Sequence, residues 1–220
     1  MTYLQTFLKR IFILLVIYTT SRLYLYINNF DSFYNVRLVE FIEGVRFDIS
    51  SLLYINLPLL LLLLAPFNYR RKHLFRKITN IMFYCINIAF ILINNVDIEY
   101  IKFTQKRSTS DLIQLLQLGK DAQNIIPQYL KDYWEITLFT IIQIWFVLKL
   151  KKIPNQAISI KTKSITNAII IFVISIGLFI LGVRGGWQLK PIKPINAGEL
   201  SNSKNTILIL NTPFCILHSL

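Results

Sequence analysis

The stretch ITNIMFYCINIAFILINNV, residues 78–96, decides what kind of protein this chain forms. It contains no Asp, Glu, Lys or Arg. A helix that spans a bilayer needs about 20 predominantly apolar residues, with about 17 at the short end. Arg76 and Lys77 precede the stretch and Asp97 follows it. The stretch therefore predicts a transmembrane helix with cations at one end and an acid at the other.

Four further apolar runs lie on either side of this stretch, and together they predict an all-α membrane protein with five transmembrane helices. Continuous apolar composition over such lengths favours membrane helices over helices in a soluble core. The fourth run is the shortest, and Tyr133 and Trp134 directly precede it. The five predicted spans are 11–30, 51–67, 78–96, 135–148 and 165–183.

The distribution of charge between the runs predicts the orientation. Lys and Arg are retained on the cytoplasmic side, whereas acids have little influence. The N-terminal tip and two alternate loops carry twelve cations and no acid, while all eleven acids lie on the opposite side. This predicts an N-terminus inside and a C-terminus outside, which agrees with an odd number of spans. The twelve cations are Lys9, Arg10, Arg70, Arg71, Lys72, Arg76, Lys77, Lys149, Lys151, Lys152, Lys161 and Lys163.

The net charge of +13 belongs mostly to these loops, and so it is a topology signal rather than a nucleic-acid interface. We expect membrane phospholipids, not nucleic acid, as partners, because basic residues near a surface are attracted to anionic head groups. Abundant Ile, Asn and Lys would suit an AT-rich bacterial genome. We therefore expect a multi-pass protein of a bacterial cytoplasmic membrane.

Cysteine and histidine predict no disulfide and no metal site. Cys85 lies within the third run, inside the predicted membrane, and Cys215 lies outside the membrane near the end of the chain. A disulfide between them would need a large displacement, so both are interpreted as small apolar fillers. His73 and His218 are far apart. A pair of Cys and His residues does not make a four-ligand site.

Polar residues inside the runs are costly and therefore informative. Arg22 lies about two thirds of the way through the first span, counted at 1.5 Å per residue. Two interpretations are open: its side chain snorkels to the outer head groups, or it has a paired role inside the bundle. Asn28-Asn29 and Asn94-Asn95 are interpreted as marks of the outer interface. Chains of intramembrane carboxylates, as in pumps, are missing from the sequence, which disfavours a transporter or channel.

The longest connection, residues 97–134, predicts helices on the outer face. Ser108 and Asp111 have the spacing of a capping box with Asp in place of Glu, and Leu residues follow at helical spacing up to Gly119. A second short helix is predicted from Asp121 to about Pro127. Such an amphipathic pair would lie on the membrane surface, and the alternative is a solvated loop that caps the bundle.

Residues 184–220 predict an extracellular linker. Gly185 and Gly186 let the chain leave the fifth helix, and Pro191 and Pro194 stiffen the next part of the chain. The remaining residues are too few for an independent domain, which needs at least about 50. The tail ends in an apolar stretch, residues 212–220, that has nothing of its own to pack against. We therefore expect a chain that is truncated before a further domain.

Several short motifs together resemble the membrane half of lipoteichoic acid synthase-like phosphoglycerol transferases, members of the alkaline phosphatase and sulfatase superfamily. The similarity spans essentially the whole chain, and its last segment is the most distinctive. The motifs are Arg46-Phe47-Asp48, Asp97-Ile98-Glu99-Tyr100, Lys106-Arg107-Ser108-Thr109 with Asp111, Tyr129 to Trp134, Arg184-Gly185-Gly186 through Pro191 to Asn196-Ala197, and Asn211-Thr212-Pro213-Phe214.

This resemblance implies a transferase at the outer face of the cytoplasmic membrane. Such enzymes pass a phosphoglycerol group from a phospholipid to a glycolipid or glycan acceptor. They use a Thr or Ser nucleophile beside a divalent metal, Mn or Zn, in a large extracellular domain that follows the membrane half. None of those catalytic or metal-ligand positions falls in residues 1–220, so no catalytic residue is assigned and this stretch alone is expected to be inactive.

Five cations on the predicted outer face are candidates for binding a lipid head group, since Arg grips phosphate bidentately and Lys acts as a point charge. The alternative for each is a surface ion pair, such as Arg46 with Asp48, or anchoring at the interface. Two other functions stay open: a stand-alone multi-pass module that binds lipid or a partner protein, and a small transporter. The candidate cations are Arg46, Lys106, Arg107, Arg184 and Lys190.

Overall fold

A computed structural model describes residues 3–64, 73–111, 127–150, 165–202 and 204–219. All regular structure in these residues is helical, which confirms the predicted all-α class. A single 3-10 turn, Phe30–Ser32, follows the first helix. The helices are α1 (Tyr3–Asn28), α2 (Leu38–Ile55), α3 (Leu57–Leu64), α4 (His73–Thr104), α5 (Trp134–Lys149), α6 (Ile165–Arg184), α7 (Pro194–Leu200), α8 (Thr206–Ile209) and α9 (Thr212–Ser219).

Two of the described helices are long and apolar enough to cross a membrane: α1 over Gln5–Asn28 and α4 over its full length. A third candidate combines α2 and α3, which bend by 58° at their junction. Helix α5 has 16 residues, and Val173–Arg184 of α6 is apolar but shorter than a span. The described residues therefore contain two or three membrane-type helices, while five spans and their orientation stay predictions.

The second predicted span differs from the helix that the structure contains. Helix α2 begins at Leu38, well before the predicted start at residue 51, and the chain bends after Ile55. Pro58 has no N–H with which to continue the α2 hydrogen-bond ladder. Asn56 Nδ2 donates to Asn87 Oδ1 on α4, and Asn87 Nδ2 donates back to Asn56 Oδ1, both at 2.9 Å. This reciprocal amide pair ties the bend to α4.

Helices α1 to α4 share one apolar core. Leu14, Leu52, Leu59 and Phe83 are fully buried in it. A leucine or phenylalanine side chain that is fully buried away from water contributes about 1.5–3 kcal/mol to the stability of the folded protein. Between helices in a membrane, part of the stabilisation comes instead from van der Waals packing of these side chains.

A buried polar network holds α1, α4 and α5 together. Ser21 Oγ donates to Asn95 Oδ1 at 2.8 Å, and Asn95 Nδ2 donates to Thr140 Oγ at 2.9 Å and to Gln143 Oε1 at 2.8 Å. Asn94 and Asn95 were predicted to mark an outer interface, but both are buried inside the protein. Polar groups that are removed from solvent need partners, and here the neighbouring helices supply them.

The segment after the third predicted span also differs from expectation. Helix α4 continues past Val96 to Thr104, and the Asp97 and Glu99 carboxylates in this part have partners within the protein. The Ser108 backbone N–H donates to Asp97 Oδ1 at 3.2 Å rather than to the Asp111 side chain, so the predicted capping box is not formed. Residues 112–126, which include most of the predicted amphipathic helices, lie outside the described residues.

Residues 192–202 and 204–219, here called the C-terminal segment, pack against α2. Ile192, Ala197, Ile209 and Phe214 are buried with Phe47 in a second apolar cluster. The rings of Phe47 and Phe214 meet edge to face, with centroids 4.9 Å apart. The expectation that the apolar end of the tail has nothing to pack against is therefore wrong, because α2 and α4 provide the surface.

Candidate functional site

Arg22 on α1 is the centre of a buried polar site. Its guanidinium contacts both carboxylate oxygens of Asp48, Nη1 to Oδ2 at 2.5 Å and Nη2 to Oδ1 at 2.7 Å. The guanidinium also donates to backbone carbonyls: Nε to Leu208 at 2.7 Å, and Nη2 to Gly44 at 2.9 Å and to Ile209 at 3.2 Å. Of the two interpretations of Arg22, the structure contains the paired one, because Arg22 is only 3% exposed.

A second buried ion pair lies beside the first. Arg107 Nη1 is 3.5 Å from Asp97 Oδ2, and Arg107 Nε donates to the carbonyl of Ile207 at 3.0 Å. The Thr212 hydroxyl donates to Asp97 Oδ2 at 2.5 Å, and the Ser108 backbone N–H donates to Asp97 Oδ1 at 3.2 Å. Two guanidinium groups thus hold three consecutive carbonyls of the C-terminal segment, those of residues 207–209.

Asn211 and Thr212 complete the site from the C-terminal segment. Asn211 Nδ2 donates to Asp48 Oδ1 at 2.7 Å, while its Oδ1 accepts the backbone N–H of Phe214 at 2.8 Å and so caps α9. The Thr212 backbone N–H donates to Asn94 Oδ1 at 3.2 Å. We call the six polar residues at the centre of this arrangement the docking cluster: Arg22, Asp48, Asp97, Arg107, Asn211 and Thr212.

A smaller polar contact holds the beginning of the same segment. Glu40 on α2 accepts the Ser201 hydroxyl at 2.6 Å and Asn205 Nδ2 at 3.1 Å. Asn205 also exchanges two hydrogen bonds with the backbone of Tyr34, one to its carbonyl at 2.7 Å and one from its N–H at 3.0 Å. The connection between α1 and α2 is therefore bonded to the C-terminal segment.

The docking cluster contains two cations and two anions, all of them buried. Burial lowers the pKa of Arg107, partly offset by Asp97, but a guanidinium stays protonated in proteins. Removing one partner from a buried pair leaves an uncompensated charge, which costs about 3–5 kcal/mol. The arrangement is suited to fixing the position of the C-terminal segment rather than to binding a substrate between its members.

The candidate lipid-binding cations fall into three environments. Arg107 is buried in the docking cluster, whereas Lys106 and Lys190 are exposed. Arg46 pairs with Glu43 at 3.2 Å, not with Asp48, and its Nη2 donates to Gln188 Oε1 at 2.7 Å.

Arg184 lies on the same side as Arg46. Its Nη2 donates to the carbonyl of Gln188 at 2.8 Å, so that Gln188 connects the two arginines. The structure therefore brings Arg46 and Arg184 together through Gln188.

The sequence interpretation missed the partners of Arg22. Asp48 and the carbonyls of Leu208 and Ile209 lie far from Arg22 along the chain, and the predicted topology places Asp48 in an outer loop. One signal was available, since an arginine inside an apolar run requires a counter-charge from a neighbouring helix. Among the described residues, no group of three or more His, Cys, Asp or Glu side chains could hold a metal ion.

Comparisons with known proteins give no match, either to a protein-family model or, at a significant level, to a curated protein or a solved structure. The family resemblance of the short motifs therefore stays a proposal.

Proposed function

We propose that this chain is the membrane half of a sulfatase-family phosphoglycerol transferase at the outer face of a bacterial cytoplasmic membrane. It anchors the enzyme and presents the phospholipid donor. One observation supports the proposal. The motifs on which the family resemblance rests lie far apart along the chain, and several of them contact one another in the structure. Asp48 bonds Asn211, Asp97 bonds Thr212 and Phe47 packs on Phe214.

A docked C-terminal segment suits an anchor whose task is to position chemistry at the membrane surface. A flexible tether would let an attached domain sample many heights above the bilayer, whereas a segment that is hydrogen-bonded to the members of two buried ion pairs restricts those heights. In the proposed enzyme, the nucleophile and the Mn or Zn ion belong to the catalytic domain, and glycolipid or glycan is the acceptor. No step of the transfer is assigned to residues 1–220.

The proposal includes five spans with the N-terminus inside and the C-terminus outside. Twelve cations in the proposed cytoplasmic parts, with no acid among them, support it. The test is cysteine labelling in intact cells with a membrane-impermeant maleimide, after Cys85→Ala and Cys215→Ala. We expect Lys190→Cys to react in intact cells and Lys9→Cys to react only after lysis. The reverse pattern would refute the orientation.

Donor presentation is proposed for the exposed or half-buried cations Arg46, Lys106, Arg184 and Lys190. Arg107 is left out because it is buried in the docking cluster. The test compares binding of phosphatidylglycerol by single Ala variants and the parent protein, with Arg37→Ala as an exposed control. Weaker binding in one or more of the four, but not in Arg37→Ala, is expected. Unchanged binding of phosphatidylglycerol by all four Ala variants would refute donor presentation by these cations.

The activity itself is tested with the complete product of the gene that encodes this chain. Membranes that contain it are supplied with labelled phosphatidylglycerol and Mn²⁺, and release of labelled diacylglycerol is measured against membranes that lack it. Release that depends on the protein is expected. Absence of release, with a stable protein in the membrane, would favour a stand-alone module that binds lipid or a partner. Solute flux in liposomes would favour a small transporter.

A further inference from the structure

The loop of residues 185–190, directly after α6, has a defined shape. Gly185 and Gly186 have φ of +73° and +133°, a region in which side chains are strained. The Gly185 N–H donates to the carbonyl of Gly182 at 3.1 Å and the Gly186 N–H to that of Leu181 at 3.0 Å. This pair of bonds is a Schellman motif, which ends the helix and turns the chain sharply.

Hydrogen bonds hold the loop in that shape. Gln188 points inward, where its Nε2 donates to the carbonyl of Arg184 at 2.6 Å and its Oε1 accepts Arg46 Nη2 at 2.7 Å. Ile192 is buried at the far end and lies so close to Gly185 that a Cβ there would overlap its side chain. The loop is thus held at three points. The Schellman motif joins its beginning to α6, Gln188 bonds Arg46 of α2 at its middle, and Ile192 is buried just after its end.

The same loop projects two large apolar side chains away from the protein. Trp187 is 89% exposed and Leu189 is 95% exposed, on either side of the inward-facing Gln188. Residues in a rigid loop cannot collapse onto the protein to hide such side chains. A projecting tryptophan next to a hydrophobic helix is typical of membrane–water interfaces, where an amphipathic ring is favoured.

The charge of the 185–190 loop and its position after α6 both indicate the same binding partner. Arg184, Lys190 and Lys193 lie in or beside the loop, and residues 184–193 contain no acid. Four exposed apolar residues of α6 form a surface on the helix that leads directly into the loop: Val173, Ile174, Leu178 and Ile180. A surface that is apolar at its tip and cationic at its rim matches the boundary between acyl chains and anionic head groups.

We infer that the 185–190 loop inserts Trp187 and Leu189 into the interfacial layer of a bilayer that contains anionic phospholipid. This inference rests on the proposed membrane location of the chain and adds a specific contact to it. In this arrangement, Arg184 and Lys190 lie at the level of the phosphates. The loop would hold the C-terminal segment, which continues from it, at a constant height above the bilayer.

The experiment uses two single-tryptophan variants of the full chain in vesicles of phosphatidylcholine and phosphatidylglycerol. Trp134→Phe/Trp145→Phe leaves Trp187 as the probe, and Trp134→Phe/Trp187→Phe leaves Trp145, which is 53% exposed on α5. Fluorescence is measured with phospholipids brominated near the head group, with phospholipids brominated near the chain end, and with aqueous iodide.

We expect the head-group-proximal bromine to remove most of the Trp187 emission and iodide to remove little. Trp187 quenching by bromine is expected to decrease when phosphatidylglycerol is omitted, and quenching that does not depend on it would overturn the anionic preference. If Trp187 is quenched only by iodide while Trp145 is quenched by brominated lipid, the proposed insertion of the loop would be overturned. If brominated lipid quenched neither probe, the proposed membrane location would fail as well.

Discussion

At the scale of single residues, the buried pair of Arg22 and Asp48 contacts the C-terminal segment through the carbonyls of Leu208 and Ile209 and the side chain of Asn211. A buried thiol offers a convenient measure of whether the segment is docked. Cys215 is 6% exposed, and burial raises its pKa to about 12, so it reacts with thiol reagents only when the segment opens. In a Cys85→Ala background, Cys215 is the single thiol.

Arg22→Met leaves Asp48 buried without its cation. The docked state is expected to lose about 3–5 kcal/mol, and Cys215 labelling to accelerate by about 10²–10⁴-fold. The measurement is the labelling rate of purified protein. Lys204→Met serves as a control, since it removes an exposed cation from the same segment and should change stability by no more than about 0.5 kcal/mol. An Arg22→Met protein that labels at the parent rate would contradict the role of the pair.

Gly44→Ala tests the close approach of α1 and α2. A Cβ at Gly44 would overlap the Arg22 guanidinium, which donates to the Gly44 carbonyl. We expect a loss of about 1–3 kcal/mol in thermal unfolding, as for overpacked cores. Gly177→Ala is the matched control because nothing lies within 4 Å of its added Cβ, and it should be neutral or stabilising by up to about 1 kcal/mol. Equal effects of the two substitutions would argue against the contact.

His218 gives the C-terminal segment a dependence on pH. His218 is exposed at the end of α9, where partial desolvation lowers its pKa and nearby Lys193 lowers it further. The neutral imidazole is therefore favoured in the docked state, so docking is strongest above the unfolded pKa near 6.5 and weakens as the pH falls below it. NMR titration should give a pKa below that of a free histidine. Lys193→Gln should raise it and Lys204→Gln should not. A His218 pKa at or above 6.5 would contradict this account.

At the scale of elements, the bend between α2 and α3 depends on Asn56 and Asn87. Their two mutual hydrogen bonds lie in the apolar core, where amide pairs contribute about 1–2 kcal/mol or less. Composition marks both residues as polar groups in an apolar run. It does not say that they are partners, because residues 31 positions apart meet only when the helices pack.

Asn56→Leu and Asn87→Leu should each destabilise the protein by about 1–3 kcal/mol, because each leaves the buried Oδ1 of the other amide without its donor, while its Nδ2 keeps a bond to a backbone carbonyl. The double variant should lose less than the sum of the two, since it leaves no orphaned partner. The measurement is the free energy of unfolding by SDS titration in mixed micelles. Additive losses would indicate that the two side chains act independently.

At the scale of the whole molecule, two carboxylates from different helices hold adjacent residues of one segment. Asp48 accepts from Asn211, and Asp97 accepts from Thr212. Loosening either contact should loosen the other, because residues 211 and 212 move together. Docking is therefore expected to be cooperative across α1, α2, α4 and the C-terminal segment.

Asp48→Asn and Asp97→Asn are accordingly expected to be coupled by about 0.5–3 kcal/mol, with a double-variant effect smaller than the sum. The free energies come from Cys215 labelling rates. The control cycle combines Asp48→Asn with Asn87→Leu, which shares no hydrogen-bond partner with it in the described residues, and should be additive within about 0.3–0.5 kcal/mol. Coupling of equal size in both cycles would point to a general loss of stability rather than to shared docking.

The sequence by itself determined the helical class, the membrane-type helices α1 and α4, and the location of polar residues in an apolar context. These follow from local composition and run length, which neighbouring residues set. Only the tertiary structure decided that Arg22 pairs with Asp48, that Asn94 and Asn95 are interior, and that the tail is docked. Arg22 bonds the carbonyl of a residue 187 positions away, and no local pattern specifies which distant groups will meet when helices pack.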